Sequence, residues 1–190
     1  MIEKVVRRFS LGDPQSGKDD LRFWLSRPSE ERISAVSNCA DNFMDIQTDF
    51  KEWLASLNNN GVNYLIAGAY ALAHHGVPRA TGDLDIYVEP TPENARRLMK
   101  ALDQFGFGSL GIKEDDFVKP EHVIQLGMPP VRIDLLTSLS GIEWAFAWRN
   151  KVKGAYGGVP AHFLGRETLV TNKRATGRTQ DLADLEALGE

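Results

Sequence analysis

Two aspartates in an apolar segment form the clearest candidate for a chemical site in this sequence. Asp83 and Asp85 alternate with Leu84 and Ile86 within the segment 82–88. Because the side chains of a β-strand alternate between its two faces, a strand here places both carboxylates on one face. Two carboxylates this close repel each other unless a cation lies between them, and their hard oxygen atoms suit Mg²⁺. Such a pair is also common on exposed strands, so it indicates a site only together with suitable neighbours.

Two further segments supply the groups that a metal and phosphate site needs. Upstream, an apolar run ends at Gly68 and a helix is predicted to begin, so that backbone N–H groups can approach phosphate oxygens. Downstream, residues 131–136 form an apolar segment with a single acid, Asp134. If this segment is a strand beside the first one, Asp134 completes a group of three carboxylates. Each segment alone also fits an ordinary turn or a surface acid.

The elements that must position these residues alternate between helix and strand. Strands are predicted at residues 62–67, 83–88, 123–126, 131–136 and 159–163, and helices begin near residues 49, 69, 92, 142, 167 and 181. This order predicts an α/β domain over residues 46–190, in which helices cover the strands. Residues 1–45 are predicted to form an N-terminal helical arm without a catalytic grouping.

The composition excludes several classes of protein. The chain has 190 residues, of which 42% are hydrophobic and 25% charged, as in globular proteins and unlike disordered or collagen-like chains. No apolar stretch reaches the roughly 20 residues that span a bilayer, and residues 1–8 lack the apolar core of a secretory signal. Cys39 is the only cysteine, which excludes an internal disulfide and a cysteine metal centre. We therefore expect a cytoplasmic location and no membrane partner.

The charge of the chain is unevenly distributed. The formal net charge of −4 argues against nucleic-acid binding by the chain as a whole. Between Arg149 and Arg178, however, seven basic residues accompany one acid. This segment is either a solvated surface or a source of counter-charges for a polyphosphate, and the sequence leaves both explanations open.

The order and spacing of the motifs resemble a known superfamily. Gly68, the run from Arg79 to Asp85, and Asp134 on a later strand look like the nucleotidyltransferases that share the fold of DNA polymerase beta. The resemblance covers about residues 50–188 and is closest to small prokaryotic members related to AbiEii-type toxins. In that group the C-terminal motif consists of a helical lysine, an arginine and a closing aspartate. The matching residues here are Lys173, Arg178, Asp181 and Asp184.

The resemblance implies a fold, a reaction and a set of site residues. The fold is a small mixed β-sheet flanked by helices, and the reaction moves a nucleoside monophosphate from an NTP to an acceptor hydroxyl with release of pyrophosphate. Two Mg²⁺ ions are implied, with Asp83, Asp85 and Asp134 as metal ligands and catalytic residues. The residues implied for nucleotide binding are Gly68, Ala69, Arg79, Thr81, Lys173 and Arg178.

Some of these roles have alternatives that the sequence does not decide. Arg79 and Thr81 either contact the substrate or shape the turn into the strand of Asp83. Asp181 and Asp184 either orient Lys173 or Arg178, or cap the last helix. The nucleotide and the acceptor are also open, and the acceptor is a tRNA, a protein or a small hydroxylated molecule.

One departure from the family pattern defines an alternative function. Ala69 follows Gly68 where the family usually carries a second glycine or a serine, so a hydroxyl contact to phosphate is not available. The alternative is a catalytically degenerate nucleotide-binding or regulatory module of the same fold. The resemblance also favours a toxin–antitoxin or phage-defence setting with an antitoxin-like partner chain. Residues 1–45 are expected either to fold over the active groove or to bind such a partner.

Overall fold

A computed structural model of the chain describes residues 6–10, 48–77, 81–129 and 131–190, the first of these ranges as backbone only. The strands are β1 (Val6–Ser10), β2 (Tyr64–Ile66), β3 (Asp83–Val88), β4 (His122–Met128), β5 (Val131–Leu136), β6 (Val152–Tyr156) and β7 (Val159–Phe163). The helices are α1 (Thr48–Asn59), α2 (Gly68–His74), α3 (Pro92–Gln104), α4 (Asp115–Val118), α5 (Trp144–Arg149), α6 (Arg166–Thr176) and α7 (Thr179–Leu188).

The described strands form one mixed sheet in the order β1-β4-β5-β3-β2-β7-β6. Strand β3 runs parallel to β5, and β2 runs parallel to β7. The other neighbouring pairs are antiparallel. Parallel neighbours need a long connection, and here the chain between β3 and β5 contains α3, α4 and β4. This connection brings β5 back beside β3, near the centre of the sheet.

Helices cover both faces of the sheet. On one face, Leu84 and Ile86 of β3 pack in a core cluster with Trp53 of α1 and Leu98 of α3. On the other face, Tyr87 of β3 belongs to a second cluster with residues of α2, α5 and α6. Because side chains alternate along a strand, Asp83 and Asp85 share the face of Tyr87. The candidate carboxylates therefore lie on the side of the sheet that α2 and α6 cover.

The sequence explains why the best-predicted helix begins and packs as it does. Thr91 caps α3, its hydroxyl accepting a hydrogen bond from the backbone N–H of Asn94 at 3.3 Å, and Pro92 occupies the first helical position. The apolar stripe of α3 then buries Ala95, Leu98 and Leu102 against the sheet.

The prediction of an α/β domain with a small mixed sheet flanked by helices is confirmed. Strands β1 and β6 and the short helix α4 were not predicted. Strand β6 has weak strand-forming residues, Lys153 and Gly154 among them, and is fixed by its pairing with β7 across Gly157 and Gly158. Both glycines have positive φ, as the tight turn of a hairpin requires.

The predicted helical arm lies almost entirely outside the described residues. Within residues 1–45 the structure describes only Val6–Ser10, and this segment is a strand that pairs with β4 at the edge of the sheet. The division into an arm and a domain at residue 45 stays a prediction. Among the described residues, no helix is both long and apolar enough to cross a bilayer.

Candidate active site

The parallel pairing of β3 and β5 brings three acidic side chains together. In the register of the two strands, Asp85 lies opposite Asp134 and Asp83 lies opposite Arg132. Asp83 and Asp85 are partly buried and Asp134 is buried. Residues opposite each other in neighbouring strands share a face of the sheet, so all three carboxylates point to the side of α2 and α6. The structure thus assembles the group of acids that the sequence predicted.

Arg132 binds two of the three carboxylates directly. Its Nη2 lies 2.7 Å from Oδ2 of Asp83 and 3.2 Å from Oδ2 of Asp134, and its Nε lies 2.8 Å from Oδ1 of Asp134. Only 13% of the Arg132 side chain is exposed. The guanidinium fork is therefore a buried counter-ion that joins the two strands through their acids.

Two neutral side chains also donate hydrogen bonds to these carboxylates. The hydroxyl of Thr81 donates to Oδ1 of Asp83, and the side-chain amide of Gln125 on β4 donates to Oδ2 of Asp134 at 3.2 Å. Gln125 lies opposite Asp134 in the β4–β5 register and is buried. Its own Oε1 has no hydrogen-bond partner among the residues that the structure describes. These contacts support the turn-shaping alternative for Thr81, which orients Asp83.

Arg132 only partly offsets the repulsion among the three carboxyl groups. Burial, followed by the charges of Asp83 and Asp134, raises the pKa of Asp85 to about 8. Burial is also the largest influence on Asp134, whose pKa is raised to about 6 although Arg132 acts in the opposite direction. One guanidinium thus compensates one of three acids. A site with this excess of negative charge attracts a cation.

Gly68 closes the site on the side of β2. The backbone N–H of Ala67 donates to the carbonyl of Asp85 at 2.9 Å, which holds the end of β2 against β3. Gly68 follows with φ of +55°, and a β-carbon at this position would lie 2.8 Å from Cγ of Asp85 and closer still to Oδ2. A glycine is needed here for both its backbone conformation and its lack of a side chain.

The junction of α6 and α7 contributes a buried charge cluster. Lys173 Nζ donates to Oδ1 of Asp181 at 3.2 Å and to Oδ2 of Asp184 at 2.5 Å. The side chains of all three residues are at most 4% exposed. Arg178 binds Asp181 from the outside, with Nε 2.7 Å from Oδ2. The two aspartates therefore orient Lys173 and Arg178, and within the described part of the chain the N-cap residue of α7, Arg178, makes no side-chain capping hydrogen bond.

Arg178 is the cation of this junction that faces solvent. Its side chain is 73% exposed, and it lies close enough to Asp85 to act against the rise in pKa of that carboxyl. Lys173, in contrast, is surrounded by the two aspartates. The basic segment therefore offers less free positive charge than its sequence indicates. Arg79, which was also predicted to take part, lies outside the described residues.

The three carboxylates fit a divalent cation in their chemistry. They are hard oxygen ligands with uncompensated negative charge, which is what Mg²⁺ requires. In the arrangement seen, however, no three acidic, histidine or cysteine side chains within the described residues are placed to hold a metal ion. Arg132 lies between Asp83 and Asp134 instead.

Sequence reasoning missed two residues of the site, Arg132 and Gln125. Both follow from the two-residue period of a strand. Arg132 precedes Asp134 by two positions and so shares its face, and Gln125 is the polar residue within the apolar strand β4. Only the register of β4, β5 and β3 shows that these side chains meet the acids.

The contact between Gly68 and Asp85 predicts the effect of adding one methyl group. We expect Gly68→Ala to lower the melting temperature more than Gly61→Ala. Gly61 also has positive φ, +64°, but has open space around it, so its substitution costs only the backbone strain of about 1–2 kcal/mol. Thermal unfolding of both variants measures the difference. Equal losses would show that Gly68 does not lie against Asp85.

The raised pKa of Asp85 predicts that Asp85→Asn stabilises the protein as the pH rises. Folding raises this pKa from 3.8 to about 8, so the folded state holds a proton more tightly and the free energy of unfolding falls as the pH rises between these values. We expect the melting temperature of the variant in chelator to exceed that of the parent increasingly from pH 5 to pH 8. The gain is about 2–4 °C for each kcal/mol of repulsion removed.

The matched control for this experiment is Asp115→Asn, at an exposed acid on α4. Its difference in melting temperature from the parent should not change over the same pH range. A difference for Asp85→Asn that is equally independent of pH would contradict the crowding of the three acids.

Comparisons with known proteins find solved structures with a similar fold. The sequence matches no protein-family model and no curated protein. Among solved structures it is similar to a protein from Thermotoga maritima assigned as a nucleotidyltransferase, with 19% identity, a TM-score of 0.50, and coverage of 73% of this chain and 88% of that chain.

Two other structures are similar at lower scores. The structure of ANT(2″)-Ia in complex with adenylyl-2″-tobramycin shares 12% identity, with a TM-score of 0.48 and coverage of 73% of this chain and 84% of that one. An antigenic nucleotidyltransferase-like protein from Paracoccidioides brasiliensis shares 16% identity, with a TM-score of 0.44 and coverage of 75% of each chain.

The similarity to the Thermotoga protein extends over most of both chains. At 19% identity it establishes the fold and leaves the activity to be argued from the site. The relation to AbiEii-type members stays a prediction. This chain has the nucleotidyltransferase fold.

Proposed function

We propose that this chain is an Mg²⁺-dependent nucleotidyltransferase, which transfers a nucleoside monophosphate from an NTP to an acceptor hydroxyl. The observation that carries the proposal is the register of β3 and β5, which sets Asp134 beside Asp85 and on the same face as Asp83. Gly68, at the start of α2, lies against Asp85. Acids from two strands and a glycine turn at one point of this fold are well suited to nucleotide chemistry.

The difficulty of the reaction is negative charge. The acceptor oxygen forms a bond to the α-phosphorus while the bond from that phosphorus to the bridging oxygen breaks, and pyrophosphate leaves with the electron pair. Two Mg²⁺ ions, held by Asp83, Asp85 and Asp134, would supply positive charge for the attacking and leaving oxygens. The carboxylates of the chain gather this charge at one place, and a divalent cation would relieve the repulsion that raises the pKa of Asp85.

The acceptor hydroxyl must also lose its proton, and Asp134 is the residue we propose to accept it. A carboxylate beside the attacking hydroxyl can act as a general base for this proton. In the arrangement seen, Gln125 and Arg132 bind both oxygens of Asp134. The proton would move to this carboxylate as the new phosphorus–oxygen bond forms.

The triphosphate is proposed to lie between the start of α2 and the junction of α6 and α7. The backbone N–H groups of Gly68 and Ala69 would seat the β- and γ-phosphates. Arg178 is the best-placed cation, because it is exposed and lies near Asp85. Lys173 is enclosed by two aspartates, which supports a role in fixing the junction, and a direct phosphate contact would require those ion pairs to open.

Arg79 and Thr81 complete the proposed nucleotide site. Thr81 holds Asp83 through its hydroxyl and so acts on the nucleotide through that acid. For Arg79 the proposal rests on the family motif alone.

The cellular setting is proposed from the resemblance of the C-terminal motif. We place the protein in the cytoplasm, in a toxin–antitoxin or phage-defence system, with an antitoxin-like partner chain. The acceptor in such a system is a tRNA, a protein or a small molecule. The aromatic and basic surface of α5 and β6, where Lys151 lies 3.8 Å above the ring of Trp148, is compatible with a nucleic-acid acceptor.

A second candidate is a nucleotide-binding module without turnover. Two observations favour it: Ala69 has no hydroxyl for the phosphates, and Arg132 occupies two of the three acids. This module would bind NTP and Mg²⁺ but transfer nothing, so the experiment that follows separates the two functions.

The test is transfer of radiolabel from each α-labelled NTP to total RNA, to protein and to small hydroxylated acceptors, with Mg²⁺. We expect transfer by the parent chain and a loss of at least about 100-fold in Asp83→Asn and in Asp134→Asn, because each removes a carboxylate that holds the reacting charges. Asp115→Asn, in the helical layer on the opposite face of the sheet, is the control and should retain full activity.

Transfer that survives unchanged in Asp83→Asn and Asp134→Asn would overturn the proposed site. Calorimetry with NTP and Mg²⁺ decides the remaining case. Binding without transfer to any acceptor would support the nucleotide-binding module.

A further inference from the structure

We propose that Arg132 and the divalent cation compete for the same carboxylate oxygens, so that the arginine must release Asp83 and Asp134 when a metal ion binds. Arg132 would then set the metal affinity of the site as a built-in competitor. This inference rests on the proposed function, because it takes the three acids as metal ligands. It concerns a residue to which the resemblance assigned no role.

The competition would concern the carboxylate oxygens that Arg132 binds. Nη2 of Arg132 lies 2.7 Å from Oδ2 of Asp83 and 3.2 Å from Oδ2 of Asp134, so a single nitrogen bridges the two carboxylates. Oδ1 of Asp134 accepts from Nε at 2.8 Å. A metal shared by these two acids needs the oxygens that Arg132 now binds.

The two carboxylates also accept hydrogen bonds from neutral side chains. Oδ1 of Asp83 already accepts from Thr81, and Oδ2 of Asp134 also accepts from Gln125. Arg132 thus binds one oxygen of Asp83 and both oxygens of Asp134, and each carboxylate also accepts a hydrogen bond from a neutral donor. Since a guanidinium and a divalent cation repel each other at bonding distance, the arginine cannot stay while the metal enters.

A guanidinium cannot leave by losing its proton, because an arginine stays charged at all physiological pH values. Arg132 therefore leaves by rotation about its side-chain bonds, and the position of the equilibrium depends on metal concentration. The apparent affinity for metal is reduced by the fraction of molecules in which the acids are free. Charge-assisted hydrogen bonds of this kind reduce it by about 10-fold or more.

The first measurement is the binding of Mn²⁺ alone to the nucleotide-free protein, followed by electron paramagnetic resonance of the free ion. We expect Arg132→Met to bind Mn²⁺ about 10-fold more tightly than the parent. The control is Arg97→Met on α3, which removes an arginine from an exposed ion pair with Glu93 on the far side of the sheet and should leave the affinity unchanged. Equal or weaker binding by Arg132→Met would overturn the proposal.

A second measurement follows Arg132 itself in the parent chain, and a variant is needed only to assign the signal. The Nε–H signal of Arg132 in a ¹H–¹⁵N spectrum is identified by its absence in Arg132→Lys. We expect Mg²⁺ to shift or broaden it in step with metal binding, and EDTA to restore it. A signal that stays in place at saturating Mg²⁺ would overturn the proposal.

The two measurements also separate this inference from the proposed function. If transfer occurs while the Arg132 signal is unmoved, only the competition is wrong. If neither the parent nor Arg132→Met binds Mn²⁺ at millimolar concentration, the carboxylates are not a metal site and both proposals fail.

Discussion

The repulsion among three carboxylates is the interaction on which the rest of this structure depends. The parallel pairing of β3 and β5 places Asp85 directly beside Asp134, with Asp83 one pleat away, and burial strengthens their mutual repulsion. The neighbouring residues each reduce that cost. Arg132 supplies a buried positive charge, Gln125 and Thr81 donate hydrogen bonds, and Gly68 leaves room for Asp85 where any side chain would collide. Perturbed carboxylates of this kind cluster at functional sites, which is why the proposed function is built on them.

The sequence predicted the acids and their strands because their signals are local. Alternation places Asp83 and Asp85 on one face, and a glycine at the end of an apolar run marks the turn into α2. Asp134 lies beside Asp85 only because β5 pairs with β3 after a long crossover connection. The resemblance to a known fold was the only reason to expect that pairing. Arg132 and Gln125 were missed for the same reason: their partners lie on other strands, and register is a tertiary property.

The basic segment shows a second limit of sequence reasoning. Counting charges between Arg149 and Arg178 indicated a large positive surface, but Lys173 is buried between Asp181 and Asp184, which lie beyond that segment. The junction of α6 and α7 therefore presents Arg178 to the site, held in place by the buried cluster behind it. Buried ion clusters of this kind fix geometry more than they add stability. Here the geometry they fix is the position of an exposed cation near Asp85.

The central claim is that the acids of β3 and β5 together hold a divalent cation. Anomalous diffraction from crystals of the full chain soaked in Mn²⁺ tests it most directly, because it locates the ion independently of any assay. The account predicts a peak in direct bonding distance of carboxylate oxygens of Asp83, Asp85 and Asp134, with Arg132 turned away from it. An ion bound elsewhere on the chain, with Arg132 still joining Asp83 to Asp134, would contradict the account.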